Sequence, residues 1–339
     1  MTAKQIKEKA LELGYTACGI IPAKPFEEYR KYLDQRIAAF PQSEEYYKPL
    51  YGLVTPPEDS KSIIVCIVGC TQYKMPEDLS QYIGKYYLFD SRLPYSKEYR
   101  AKEEFETFLK INQIHVLEGG VPDRWAAAKA GVGKFGRNNF TYTDEHGSYV
   151  SVDTWLVDKV LDYDPVPEDT LASECAAGCM ACVHACPTHA LCDGLNMDRG
   201  RCIPQLANNT KVLPDAATRE QMGLWMYGCD ACQDVCPMNA GKFTETEEFP
   251  LLAQFERFMQ PENILEMDEE TYINIVNPRF WYIGEAGLWL WKCNALRIMI
   301  NAGDEKYHHF IKKYSNDDDP RIQEVAQWGC EKLKLGRVL

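Results

Sequence analysis

Three features of the 339-residue sequence predict an α+β protein built in three consecutive parts. A β-branched apolar run followed by stretches of helical periodicity opens the chain, cysteines crowd its middle, and amphipathic helical patterns close it. The parts are expected at 1–165, 166–245 and 246–339, with the acidic, proline-containing LDYDPVPEDT (161–170) as the first connection.

The opening part reads as mixed α and β. MTAKQIKEKALELGY carries Ile6, Ala10, Leu11 and Leu13 near one helical face. SIIVCIVGC (62–70) has the length and branching of a buried strand, 101–112 and 123–130 have helical spacing, and GSYVSVDTWLV (147–157) reads as a further strand. Glycines concentrate in KAGVGKFGRNN (129–139), a composition that lets backbone come close to a neighbour. Gly131, Gly133 and Gly136 do not form a dinucleotide fingerprint, since neither the spacing nor a following acidic residue fits.

In the closing part, LWLWKCNALRIMINAG (288–303) and DPRIQEVAQWGCEKL (319–333) are amphipathic, with a third helix near 305–314. Asp319 is placed as an N-cap and Pro320 at the first helical position. HEAT-like stacking is expected, with Trp289, Trp291 and Trp328 in the core.

Composition narrows the class. Hydrophobic residues make up 45% of the chain, enough for real cores without disulfide staples. No stretch approaches the ~20 apolar residues of a membrane span, and the first fifteen residues lack a signal-peptide core. A cytosolic location is therefore expected, where 14 cysteines point to metal ligands rather than disulfides. The net charge of −13 counts against an obligate nucleic-acid substrate.

The cysteines carry the chemistry. ECAAGCMACVHACP (174–187) departs from the bacterial ferredoxin run C-x2-C-x2-C-x3-C-P only in its first gap, which Ala176, Ala177 and Gly178 widen by one residue. A second run, Cys229-x2-Cys232-x3-Cys236-Pro237, repeats the ending. Two such runs point to a two-cluster ferredoxin-like module, in which the fourth cysteine of a run crosses to the other cubane. The ligand sets are then Cys175, Cys179, Cys182 and Cys236 for one 4Fe-4S cluster, and Cys186, Cys202, Cys229 and Cys232 for the other. Cys192 is left over as a small thiol and is the main rival to Cys202.

The order of these motifs resembles the epoxyqueuosine reductase-like family, cobalamin-dependent iron–sulfur proteins distantly related to reductive dehalogenases. LELGYTACGIIPA (11–23), RLPYSKEYR (92–100), KAGVGKFGRNNF (129–140), GSYVSVDTWLVD (147–158), the cysteine runs with YGCDACQDVCP, and KCNALRIMINAG (292–303) fall in that family's order. The resemblance implies a nitroreductase-like cobalamin-binding domain, a two-cluster ferredoxin-like domain and a HEAT-like tail. It also implies a base-off corrinoid between the first two domains, near the cluster that includes Cys202. Gly131, Gly133 and Gly136 would then approach the corrin, Arg137 and Asn138 would bond its amides, and Ser148 on the Gly-Ser strand would contact it. Electrons would pass from a low-potential donor such as ferredoxin or flavodoxin, through two clusters, to cobalt and on to the substrate.

One departure stands out. The family's aspartate general acid falls on Leu117 in LEGGV (117–121). Glu118 is the nearest substitute, with Tyr95 and Tyr99 as rival proton donors. The expected function is a monomeric, membrane-free cobalamin- and 4Fe-4S-dependent reductase acting on a small molecule or on epoxyqueuosine in tRNA. The alternative is an electron-transfer or corrinoid-reducing protein that serves a partner and has no substrate of its own.

Overall fold

The computed structural model describes residues 1–167, 175–192 and 195–336. A capped helix, α1 (Ala3–Glu12), opens the chain, its N-cap Thr2 and Gln5 closing a reciprocal capping box. Ile6 and Ala10 are buried, but Leu11 is 52% exposed. Five residues after Ile6, Leu11 is rotated well off the face that Ile6 and Ala10 share, which corrects its expected place.

The first sheet has the order β1 (Ala17–Pro22), β2 (Ser62–Gly69) and, from late in this part, β5 (Val150–Val157), all antiparallel. β2 is central and buried along its whole length, which is why its sequence is unbroken and apolar rather than alternating. Between β1 and β2 lies α2 (Glu27–Ala39); between β2 and β5 lie α3 (Lys97–Ile111), α4 (Asp123–Lys129) and a short hairpin, β3 (Lys134–Phe135) with β4 (Thr141–Tyr142). α1 and α3 cover one face of the sheet through Phe105, Leu109 and Trp155; α2 and α4 cover the other through Leu33, Trp125 and Ile63.

The cysteine-rich part is mostly loop, with short helices α5 (Ala181–His184), α6 (Ile203–Asn208) and α7 (Ala231–Asp234). The last part packs α8 (Leu288–Ala302), α9 (His308–Tyr314) and α10 (Pro320–Lys332) together. α8 and α10 approach so closely at Gly329 that a Cβ there would meet Ile300 Cδ1 at 2.5 Å. Asp319 caps α10 by accepting from Arg321 N–H at 2.9 Å, and Pro320 opens it. Trp291 is buried against Tyr227, rings parallel at 5.0 Å; Trp289 and Trp328 are partly buried.

One core crosses the expected part boundaries. Tyr73, Leu79, Ile83 and Phe89 of the first part, Tyr227 of the second and Phe249, Trp291 and Leu296 of the third belong to a single buried cluster. The segment 70–95 thus anchors the tail to the sheet domain and leaves the cysteine-rich loops wedged between them.

Candidate functional site

The cysteines assemble into two groups. Burial and the neighbouring Cys175 and Cys236 thiols push the Cys182 thiol up. Burial and Cys186 push Cys202 up to about 12; Cys229 and Cys232 are raised by burial and by the other thiols of the same set. Cys186, Cys202, Cys229 and Cys232 therefore face one another, and Cys175, Cys182 and Cys236 do so separately. Crowded, desolvated thiols of this kind are stable as thiolates only when metal charge balances them, which is the condition an iron–sulfur cluster meets. Cys179 completes the first run, its N–H bonded to Ala176 O at 3.0 Å across a turn whose Gly178 has φ +74°. The extra residue in the first gap is taken up in this left-handed turn. Cys192 lies beside Cys186 and Asp198.

Hydrogen bonds reach the sulfurs from outside the runs. Arg137 N–H donates to Cys175 Sγ at 3.3 Å and Ala190 N–H to Cys186 Sγ at 3.2 Å, while the Tyr142 hydroxyl donates to Cys236. Such donors raise the potential of a cluster they touch.

A cavity of about 600 Å³ opens between the sheet domain and the second thiol group, and Cys186, Cys202, Cys229 and Cys232 all line it. Arg36, Asp123, Arg124 and Asn139 form the sheet-domain wall; Tyr86, Arg92 and Tyr282 form another. Arg92 is fixed by two bonds to the buried Asp90 carboxylate, at 2.8 and 2.7 Å, and by Nη1 donating to the Tyr282 hydroxyl at 2.9 Å. Several wall atoms are buried with no hydrogen-bond partner among the described residues, among them Arg36 Nε, Asn139 Nδ2 and Thr141 Oγ1. Buried polar atoms are ordinarily satisfied, so this wall is shaped for a ligand rich in polar groups. Amide-fringed corrinoids fit that description.

Asp230 sits inside the second run and lines the same cavity. Burial raises its carboxyl to about 6, against the Lys85 ammonium and backbone N–H that hold it. Lys85 also pairs with Asp234, which accepts from the Tyr149 hydroxyl at 3.0 Å. α7 is thereby pinned to the first domain. A second fastening is made by Ser148, whose N–H donates to Asn239 Oδ1 at 2.8 Å and whose hydroxyl accepts from Gln233 and Asn239 at 2.9 Å.

Of the residues expected at a cofactor, Asn138 and Ser148 line the cavity and Arg137 lies at the first thiol group. The three glycines lie outside the cavity lining, and each has a local structural use. Gly131 (φ +69°) ends α4 in a Schellman motif, with Val132 N–H bonded to Ala127 O and Gly131 N–H to Ala128 O. A Cβ on Gly133 would strike Thr141 at 2.4 Å, and one on Gly136 would strike the Tyr142 ring at 2.2 Å. Their smallness lets the β3–β4 hairpin close.

The expected proton donors are also placed elsewhere. Glu118 is exposed outside the cavity, turned outward at a bend where Gly119 takes φ +138°, while Leu117 packs against the sheet core. Tyr95 receives Arg279 Nη1 at 2.6 Å beside Phe249, and Tyr99 lies in the first turn of α3, outside the lining. Sequence reasoning missed Tyr86, Arg92, Asp123 and Tyr282. Only Arg92, inside the quoted RLPYSKEYR segment, offered a signal.

Comparison with known proteins bears on the chain as a whole and on its cysteine-rich part. Residues 174–239 match the family described as a 4Fe-4S double cluster binding domain. An epoxyqueuosine reductase of Staphylococcus aureus is 26% identical over 360 aligned positions, covering 98% of this chain and 90% of the relative. One from Listeria monocytogenes is 31% identical over 63% of this chain and 55% of its own length. In fold, a Bacillus subtilis epoxyqueuosine reductase, solved with its catalytic aspartate loop swung out of the active site, superposes with a TM-score of 0.78 at 24% identity, over 97% of this chain and 90% of that one. Another, solved with an epoxyqueuosine-modified tRNA stem loop, gives 0.76 at 24% identity, over 97% and 89%. This chain is an oxidoreductase similar to those epoxyqueuosine reductases in sequence and fold along nearly its whole length, and its residues 174–239 match a 4Fe-4S double cluster binding domain.

Proposed function

We propose that the chain is a cobalamin- and 4Fe-4S-dependent reductase whose reducible substrate enters the 600 Å³ cavity. The observation that carries this reading is that one cavity wall contains all four thiols of the Cys186–Cys202–Cys229–Cys232 group. One-electron equivalents from a low-potential ferredoxin or flavodoxin would enter at the Cys175–Cys179–Cys182–Cys236 cluster and leave from the second cluster into the cavity. A corrinoid bound there supplies strongly reducing, nucleophilic metal chemistry. The protein's own part is to bind it: Arg36 Nε, Asn139 Nδ2 and Thr141 Oγ1 offer polar partners, and Tyr86, Arg92 and Tyr282 shape the opposite side.

The substrate reading is the reduction of epoxyqueuosine, supported by the relatives' names and by length-wide similarity. A partner-serving electron-transfer role is favoured by one observation, the replacement of the family's acid by a core-packed Leu117.

Anaerobic purification with iron, sulfide and corrinoid assays, followed by turnover of an epoxyqueuosine-modified tRNA stem loop and of the free nucleoside, separates these readings. About eight irons per chain, corrinoid binding and reduction of either probe are expected. Iron without corrinoid binding would give the electron-transfer role. Zinc without labile sulfide would sink both.

A further inference from the structure

The cavity needs a source of protons as well as electrons, and its own wall supplies one. We propose that Asp123 is the catalytic acid of this chain, donating a proton to the substrate from the first turn of α4 (Asp123–Lys129). The proposal rests on the reductase reading above.

Reducing an epoxide to an alkene consumes two electrons and two protons. Both carbon–oxygen bonds of the ring break, a carbon–carbon π bond forms, and the oxygen leaves as water. The low-potential one-electron carrier supplies the electrons singly through the clusters. One proton must reach the departing oxygen from a positioned group, and the second can come from cavity water.

Few groups in the wall can give a proton near neutral pH. Tyr86 and Tyr87 are held above the ordinary phenol range by burial. Asp230 is tied to the Lys85 ammonium and backbone and lies between two cluster ligands. Asp123 differs from both. Its carboxyl accepts one neutral hydrogen bond, from the Thr154 hydroxyl at 2.8 Å, which leaves its second oxygen for a ligand. It is exposed where it lines the cavity, and the desolvation imposed by the surrounding wall still raises its pKa above the usual aspartate range. The charged groups facing it are Asp153 of β5, which raises it further, and Arg124 of its own helix and Lys102 of α3, which oppose; Tyr29 of α2 also faces it. Six residues downstream of Leu117, Asp123 brings a carboxyl to the cavity wall where neither Leu117 nor Glu118 does.

The test compares wild-type holoenzyme with Asp123→Asn and Asp123→Glu on the epoxyqueuosine-modified stem loop. Asp123→Asn should lose turnover by ~10²–10⁴-fold, the usual worth of a general acid, with cluster content and the rate of cluster reduction by dithionite unchanged. Asp123→Glu should restore part of the rate. Wild-type activity should fall as pH rises through the Asp123 pKa, and Asp123→Asn should lack that limb. Infrared difference titration of wild type against Asp123→Asn should show a carboxyl ionising above the ordinary aspartate range. Equal turnover of Asp123→Asn and wild type, or an ordinary titration, overturns the assignment and leaves the reductase reading intact. A wild-type enzyme that leaves the probe unreduced overturns the reading and the assignment with it.

Discussion

Replacing Arg92 by alanine probes how the cavity wall is held to the tail. The Asp90 carboxyl is 2% exposed and accepts three bonds from residue 92: from Nε at 2.8 Å, from Nη2 at 2.7 Å and from the backbone N–H at 3.0 Å. The guanidinium also lies 4.7 Å from the Trp281 ring centre, 5.3 Å from Tyr282 and 5.4 Å from Tyr86. Removing one partner of a fully buried pair costs about 3–5 kcal/mol, because the other charge is stranded. An exposed pair is worth about 0–1 kcal/mol. Here the Arg92 side chain is 33% exposed and the Asp90 side chain 3%, so the stranded carboxylate is the buried member, and about 3 kcal/mol is expected. If stranding is the cause, adding Asp90→Asn to Arg92→Ala should recover most of the loss. Arg92→Lys should recover little, since an ammonium cannot reproduce the two-pronged contact or the ring stacking. Urea unfolding of reconstituted protein, followed by tryptophan fluorescence, gives the comparison. A loss below about 1 kcal/mol for Arg92→Ala, or no rescue by Asp90→Asn, would refute the reasoning.

Three further outcomes follow from the site. Cys202→Ser should lower iron from about eight to about four per chain, whereas Cys192→Ser should leave about eight; iron and sulfide assays decide, and the reverse result would exchange their roles. Gly147→Ala forces a side chain into φ +57° with its Cβ 2.2 Å from Asn239 Oδ1. It should destabilise by about 1–2 kcal/mol from backbone strain alone, more with the Ser148–Asn239 bonds lost, and an unchanged melting temperature would count against it. His146 is 9% exposed, bonded through Nδ1 to the Thr71 hydroxyl at 2.7 Å, and burial lowers its pKa. The unfolded chain therefore binds its proton more readily, so this contribution is fully present above about pH 6.5 and is lost as pH falls through that value toward the folded pKa. A His146→Gln variant should show a flatter acid limb in denaturant titrations across that window.

The elements legible in the sequence were those fixed by local periodicity or by a single capping interaction. β2 was visible because a strand buried on both faces is apolar at every position, and α10 because Asp319 and Pro320 mark its start. The glycine loop was visible as a place but not as a role. Whether a glycine admits a cofactor or a neighbouring hairpin depends on what lies opposite, and here Thr141 and Tyr142, a few residues on, lie opposite Gly133 and Gly136. Tyr95 and Tyr99 illustrate the same limit of local pattern. Both stand in an aromatic, basic segment, but the chain turns at Ser96, which caps α3, so Arg92 reaches the cavity while Tyr95 turns to Arg279.

The cavity was legible only in part, through Asn138, Ser148 and the second cysteine set, since the rest of its wall draws on residues scattered from Tyr29 to Tyr282. That bears on the charge argument. A net charge of −13 disfavours anionic partners when charge is spread evenly, but it is a sum over the whole surface. The wall carries Arg36, Arg92, Arg124 and Arg199 against Asp123 and Asp230, and Arg92 is already balanced by Asp90. Over distances within about 10 Å at ordinary ionic strength, these local arginines govern what a ligand feels, and distant surface carboxylates are screened. The acidic balance therefore sets solubility and the approach of large polyanions, while the cavity retains the charge to hold a phosphate-bearing or amide-rich ligand. If a modified stem loop is reduced, its rate should fall as salt is raised far less than a backbone-docked tRNA would require, because few of its phosphates can meet this acidic surface.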